Sequence, residues 1–507
     1  MNYDGSPVNV LPDGRDNRDL LGSVHPPMWQ NPEPKSMYNL VIVGAGPAGL
    51  AAAHYAACFG AKVALIERNL LGGTSLNAGC IPSKALIRTS RLYGEMSEAE
   101  DFGVDVPRNI SVDFPAAMER MRRIRARIGR YESAEQLKDA GIDIFFGAAR
   151  FNSPRTIEVE GKTLRFKKAL IATGVRPLVP TIPGLAESGY LTNENLFNLT
   201  ECPRRMLVIG GGPLGCEAAQ AFCRLGAYVI IAQNDPMFLP REERDAAQLL
   251  SDTLARDGVE IHLNTTVVAV RMEGGQKIAD LVTDNYKFSV SVDEIVVGVG
   301  RAPNVEDMGL EAANVRYDTS TGVFVNDFLR TSNARIYAAG DVCLERKFAH
   351  TADVSARIVV RNALFLGHQR MSALTIPWCT YTDPEIAHVG LYVWEAQARN
   401  IPVKTFTILM HDVDRAITDG EEEGFVKIHL RDGTDRILGA TVVARHAGEM
   451  ITGLSLAITS GIGLREMARV IHAYPTQVEA IKMAAVAYNR SCVSPFLKAL
   501  SRRWLAW

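Results

Sequence analysis

A glycine turn written twice at the same spacing constrains this chain more than any other feature in it. Gly44-Ala45-Gly46-Pro47-Ala48-Gly49 follows the apolar run Asn39 to Val43 and opens a helix read over Leu50 to Phe59. A second apolar run, Lys62 to Ile66, ends in Glu67. The same order recurs as Met206 to Ile209, then Gly210-Gly211-Gly212-Pro213-Leu214-Gly215, then Tyr228 to Ala232 and Gln233. Gly44 to Glu67 and Gly210 to Gln233 each span 23 positions. Strand, glycine turn, helix, strand and terminal acid together form a dinucleotide-binding context, which an isolated glycine triplet does not. The glycines let the backbone turn tightly and approach a pyrophosphate on a helix N-terminus, and the acid accepts from ribose hydroxyls. Nucleotide contacts are therefore expected at Gly44, Gly46, Gly49 and Glu67, and again at Gly210, Gly212, Gly215 and Gln233.

At 507 residues the chain exceeds what one core holds, so several domains are expected. A hydrophobic content of 47% and a charged content of 22% are those of a globular protein. The net charge of −2 gives no electrostatic reason to expect nucleic acid as a partner. No apolar run reaches the ~18–20 residues that span a bilayer. The segment Met1 to Ser36 is polar, lacks the apolar core of a secretory signal, and reads as an irregular arm broken by Pro26, Pro27, Pro32 and Pro34. Eight cysteines without framework spacing fit a reducing cytoplasm, and no His or Cys set has metal-ligand spacing, so no metal is expected. Phe114 to Tyr131 is rich in arginine, but Ala117, Met118, Met121, Ile124 and Ile128 recur at helical spacing. It reads as an amphipathic helix with a solvated basic face.

Directly after Glu67 comes Leu71-Gly72-Gly73-Thr74-Ser75-Leu76-Asn77-Ala78-Gly79-Cys80-Ile81-Pro82-Ser83-Lys84. Pro82 suits a first helical turn, and a helix over Pro82 to Arg88 sets its positive end beside the Cys80 sulfur, an arrangement that favours the thiolate. Lys84 adds positive charge one turn on. Further along, Ala172-Thr173-Gly174 and Gly340-Asp341 each follow a strand, and His472-Ala473-Tyr474-Pro475-Thr476 leads to Glu479. From about residue 374 the chain alternates like antiparallel strands, at Phe425 to Leu430 and Gly439 to Ala444, before turning helical.

Taken together these motifs resemble the flavoprotein disulfide reductases, the family of dihydrolipoamide dehydrogenase, glutathione reductase and mercuric reductase, over residues 38 to about 490. The resemblance implies an α/β chain with two Rossmann-like domains, for FAD and for NADH or NADPH, and an α+β dimerisation domain. The expected boundaries are an arm at 1–37, the FAD domain at 38–177 and 291–372, the nicotinamide domain at 178–290, the dimerisation domain at 373–493 and an amphipathic tail at 494–507. It further implies cofactor contacts at Gly73, Thr74, Ala172, Thr173, Gly174, Gly300, Gly340 and Asp341. Asp341 would serve the flavin's ribityl–phosphate region, and Lys84, near flavin N5, would pair with Glu217. Cys80, Ser75, Tyr474 and Glu479 complete the implied catalytic set, in a homodimer.

Three departures limit what carries over. Ser75 stands where the family's interchange cysteine belongs, so Cys80 has no redox partner in its segment, and a hydroxyl cannot store electrons as a disulfide. A native serine implies electron delivery from flavin to a quinone, a metal ion or oxygen. A serine put in place of a cysteine implies a dithiol enzyme acting on a disulfide or a thiol-bound metal. Tyr474 replaces the family's proton-shuttling histidine, as in mercuric reductase, and a phenol with reference pKa near ~10 shuttles poorly at neutral pH. Mercuric reductase's terminal cysteine pair is missing, Cys492 being the last cysteine.

The expectation is thus an NAD(P)H oxidoreductase with a small-molecule electron acceptor. The rival is a silenced flavoprotein acting as a sensor or assembly partner. The tail, with Leu497, Leu500, Trp504 and Trp507 at helical spacing beside Lys498, Arg502 and Arg503, reads as a cap on the dimerisation domain. Contact with a membrane surface is the alternative.

Overall fold

The computed structural model describes residues 10–107, 110–284 and 286–506. It forms two compact units, one built from residues up to 236 together with 257–373, the other from 237–256 and 374–507.

The first unit carries two sheets built on parallel strands, the larger extended by the antiparallel Thr156–Val159 and Arg150–Ser153. In the larger, Tyr38–Val43 lies between Val63–Glu67 and Lys162–Ile171, with Ile142–Phe146 at one edge and Ile336–Ala338 paired on Lys162–Ile171. The near-continuous apolar strands are buried along their length, as strands covered on both faces must be. The second sheet orders Glu260–His262, Tyr228–Ala232, Arg205–Ile209 and Glu294–Val297, all parallel. Glu294–Val297 thus belongs with the second glycine turn, past the boundary expected at 290; its first residue, Glu294, hid a strand whose remainder is Ile-Val-Val.

The arm is not irregular throughout. Arg15–Val24 is a helix ending just before the prolines, with Leu20 and Val24 fully buried. It seats on the helix Phe114–Gly129 at Gly129, where a Cβ would lie 2.7 Å from Leu20 Cδ1. The arm then caps the exposed edge of strand Ile142–Phe146. Asn31 exchanges two hydrogen bonds with the Phe146 backbone, at 2.7 and 2.8 Å, and His25 stacks on the Phe146 ring at 4.2 Å.

The basic helix Phe114–Gly129 also departs from expectation. Arg123 and Arg127 are exposed, but Arg122 and Arg125 are buried in the apolar phase of the helix.

The second unit is a five-stranded antiparallel sheet, ordered Pro377–Thr380, Glu385–Gly390, Ile437–Ala444, Phe425–Arg431, Val403–Leu409. Helices Ala447–Ser460 and Glu479–Ser491 pack on it. The helix Arg244–Arg256, expected in the nicotinamide domain, joins this unit. Just before it, Glu242 accepts from Tyr392 Oη at 2.6 Å and Trp378 Nε1 at 3.1 Å, and Glu243 meets the buried His429 at 2.9 Å. The last helix, Pro495–Leu505, buries none of its residues, so it caps nothing within the described chain; Trp507 lies outside the described residues.

Candidate active site

The first glycine turn is closed on two sides and open on the third. Gly44 has φ +99°, and a Cβ there would stand 2.4 Å from the Ala172 carbonyl oxygen. One on Gly49 would stand 1.8 Å from the Gly44 oxygen, so these two glycines are needed for backbone-to-backbone packing. Gly46 meets nothing closer than Gly73 Cα at 3.9 Å. With Gly73 packed against Gly46, this gap beside the N-terminus of helix Pro47–Cys58 has the backbone and dipole that could hold a pyrophosphate.

The surrounding segments converge on this gap. Gly72 N–H donates to the Ala45 oxygen at 2.9 Å. This brings onto the turn the start of Leu71 to Lys84, the segment that resembles the family's redox motif (hereafter the redox segment). Gly340 arrives from the other side, its site for a Cβ only 3.2 Å from that of Ala48. Asp341 comes next, its carboxyl pushed above the usual range by burial, against the pull of Arg301 at 3.5 Å. Thr173 Oγ1 donates to the Asn304 oxygen at 2.7 Å, and Asn304 N–H donates to the Gly174 oxygen at 3.0 Å. Glu67 accepts from the N–H of Ala45 at 2.7 Å and of Asn69 at 2.8 Å, and burial raises its pKa despite both bonds. Each oxygen retains a lone pair for a ribose hydroxyl.

The second turn repeats the construction. A Cβ on Gly210 would meet the Gly298 oxygen at 2.7 Å and one on Gly215 the Gly210 oxygen at 2.0 Å, while Gly212 has nothing within 4 Å. Gln233 Oε1 accepts from Gly211 N–H at 2.8 Å. Gly300, with φ +140°, accepts from Leu178 N–H at 3.0 Å.

Between the two folds, Lys84 Nζ donates to both Glu217 oxygens, at 2.9 and 3.0 Å. Lys84 sits on the redox helix, which runs Cys80–Ser97 and so begins two residues earlier than expected. Cys80 is its first residue, exposed, with a free thiol. Ser75 lies in the short helix Gly73–Asn77 just before it.

The pyridine nucleotide-disulphide oxidoreductase family matches residues 38–356, and its dimerisation domain matches residues 376–485. The chain belongs to this family. Mercuric reductase of Staphylococcus aureus is 32% identical over 89% of this chain and 83% of its own. Dihydrolipoyl dehydrogenase of Mycoplasma pneumoniae is 33% identical over 88% of this chain and 97% of its own. Among solved structures, the HOCl-induced flavoprotein disulfide reductase RclA from Escherichia coli aligns with TM-score 0.80 and 27% identity over 90% of this chain and all of its own. LpdA from Mycobacterium tuberculosis aligns at TM-score 0.81, 27% identity, 89% of this chain and 99% of its own. Members of the pyridine nucleotide-disulphide oxidoreductases use FAD and NAD(P)H, and the open faces at Gly46 and Gly212 suit the two dinucleotides.

A support that sequence reasoning missed runs beneath the redox segment of this oxidoreductase. Asn77 Nδ2 donates to the Leu71 and Gly73 oxygens, both at 2.9 Å. Arg125 Nη1 donates to the Asn77 carbonyl oxygen at 2.8 Å, and Nη2 to Asn17 Oδ1 of the arm helix at 2.7 Å. The guanidinium is held by neutral oxygens, and burial pulls its pKa down to about 10. Arg125 shares a helical phase with the buried Met118 and Met121, which marks the face it lies on but not the distant oxygens it meets.

Tyr474 and Glu479 belong to the second unit. Tyr474 is exposed and donates to Asp414 Oδ2 at 2.8 Å, which holds its pKa above the ordinary phenol value. Glu479 opens helix Glu479–Ser491 and pairs with Lys482 at 3.7 Å.

Proposed function

We propose that this flavoprotein takes electrons from NADH or NADPH and delivers them directly to a small acceptor, a quinone or a metal ion, without a dithiol relay. The observation that carries this reading is a complete Lys84–Glu217 bridge beside a redox segment whose position 75 is serine and whose Cys80 is unpaired. Bound FAD would supply hydride acceptance and onward electron transfer. Gly46, Gly73 and Thr74 line the pyrophosphate gap, with Glu67 at the ribose and Asp341 at the ribityl–phosphate end. Gly212 and Gln233 serve the nicotinamide nucleotide. The bridge holds the two folds in register, which counts because orientation errors of about 1 Å cost ~100-fold in rate. Cys80 offers its sulfur at a helix N-terminus, and Ser75 contributes a hydrogen-bonding hydroxyl that stores no electrons. Tyr474, kept protonated by Asp414, acts as a hydrogen-bond donor and not as a proton shuttle. The protein acts as a homodimer through its dimerisation domain, in the cytoplasm, where its eight free thiols persist.

Anaerobic mixing with NADH or NADPH tests this directly. Bleaching of the yellow absorbance within the mixing time is expected. No bleaching with either nucleotide overturns the proposal in favour of a silenced flavoprotein. Steady reduction of glutathione disulfide or lipoamide by the chain as it stands would overturn the direct route.

A further inference from the structure

The helix Pro495–Leu505 carries its own start signals. Ser494 caps it by accepting from Leu497 N–H at 3.2 Å, and Pro495 takes the first helical position. Yet none of its residues is buried, with Phe496 75% and Trp504 81% exposed. At about 100° per residue, Phe496, Leu500, Trp504 and Leu497 fall within one arc of about 100°. Lys498 and Arg502 take the opposite side, and Arg503 stands at the margin. From Ala480 to the chain end there are five Lys or Arg residues and no Asp or Glu, in a chain whose net charge is −2. The dimerisation-domain match stops at residue 485, so the helix lies beyond the segment that this domain employs.

We propose that Pro495–Leu505 is an interfacial helix that docks the enzyme on an anionic lipid surface. Its aromatic and leucine side chains enter the boundary between headgroups and acyl chains, and its cations meet lipid phosphates. Charge complementarity selects this occupant over a second copy of the chain. A second copy of the helix, itself holding three Lys or Arg and no Asp or Glu, offers these cations no counter-charge, whereas lipid phosphates do. Lys and Arg stems also let the charges reach the headgroups while the apolar arc sinks. Docking of this helix does not depend on which electron acceptor the flavin serves.

The test is flotation of the full-length, FAD-loaded protein with vesicles of phosphatidylcholine alone or mixed equally with phosphatidylglycerol. The protein is expected to float with the anionic vesicles, to stay behind with the neutral ones, and to be released by half-molar salt. Replacing Lys498, Arg502 and Arg503 together by Gln should lower the anionic partition coefficient about a hundredfold. A chain truncated after Ser494 should lose flotation but keep its FAD and its dimeric elution volume. Two results overturn the proposal. One is full-length protein floating no better than the truncated chain. The other is truncation splitting the dimer, which assigns the helix to a second copy.

Discussion

In the first dinucleotide fold Gly44 lies against Ala172 and Glu67 accepts the Ala45 N–H; in the second, Gly210 lies against Gly298 and Gln233 accepts the Gly211 N–H. The anchoring hydrogen bond is the same to within 0.1 Å, at 2.7 and 2.8 Å, and the charge is not. Glu67 uses both oxygens on backbone N–H groups and remains an acid whose ionisation burial opposes. Gln233 is neutral, and because a backbone N–H meets only its carbonyl oxygen, its amide NH2 is left to face other groups. Fixing a turn therefore needs an acceptor but not a charge, which leaves charge free to choose the nucleotide. The folds differ again in the side chains they present at this junction. The first runs on into Cys80 and Lys84, and the second contributes Glu217 to meet Lys84.

The largest expected effect comes from cutting the link between the folds. Lys84→Met should slow anaerobic flavin reduction by NADH about a hundredfold while FAD content is retained. A loss under about threefold in stopped-flow traces would mean the two folds align without the bridge.

The electron capacity of the first fold is tested next. Ser75→Cys should let a disulfide form with Cys80 and raise anaerobic uptake by about two electrons per flavin. In the chain as it stands, a long-wavelength absorption shoulder from the Cys80 sulfur should be present at rest and vanish in Cys80→Ala. A titration of Ser75→Cys that ends with no extra electrons would show that position 75 does not face Cys80.

Charge at the second fold carries a smaller effect. With neutral Gln233, kcat/KM for NADH and NADPH should differ by less than about tenfold, or ~1.4 kcal/mol. Arg244 does not alter this, since its guanidinium donates to the Phe238 and Glu242 carbonyls within its own unit. Gln233→Glu should lower the NADPH value about tenfold through repulsion of the 2′-phosphate and leave NADH within about threefold. Equal losses for both nucleotides would place residue 233 away from the ribose.

The smallest effect separates the two turns by pH. Glu67→Gln leaves one of two backbone N–H groups without its acceptor, at about 1 kcal/mol. The folded pKa of Glu67 lies above its ordinary value of 4.5, so ionising it opposes folding. The wild-type advantage should be fullest below pH 4.5 and shrink as pH rises from there through the folded pKa. Thermal melts of both proteins from about pH 4 to 8 check the sign, and an advantage that grows with pH would contradict it. Gln233, which does not titrate, should show no such trend on replacement by Asn.

The arm shows why parts of this molecule were illegible. Its prolines announce irregular chain, and they do lie outside the helix, but Arg15–Val24 is amphipathic only with respect to a partner more than 90 positions away. Arg122 and Arg125 read as solvated because arginine usually is. Burial of Arg125 is tolerable only where Asn17 and the Asn77 carbonyl supply oxygens, and neither is near it in sequence. Likewise 237–256 reads as a continuation of the second fold until Glu242 finds Trp378 and Tyr392.

By itself the sequence determined the two nucleotide folds, the family and the redox segment, because each rests on local rules: strand periodicity, glycine at turns that admit no Cβ, a cysteine next to a helix start. The tertiary structure alone decided the Asn17–Arg125–Asn77 support and the exposure of the tail helix, and it gave the Lys84–Glu217 pairing that the resemblance implied its distances of 2.9 and 3.0 Å. These depend on which distant groups share a neighbourhood. A buried guanidinium needs oxygens at under about 3 Å, an amphipathic helix needs or lacks a covering face, and neither condition is written in the residues on either side.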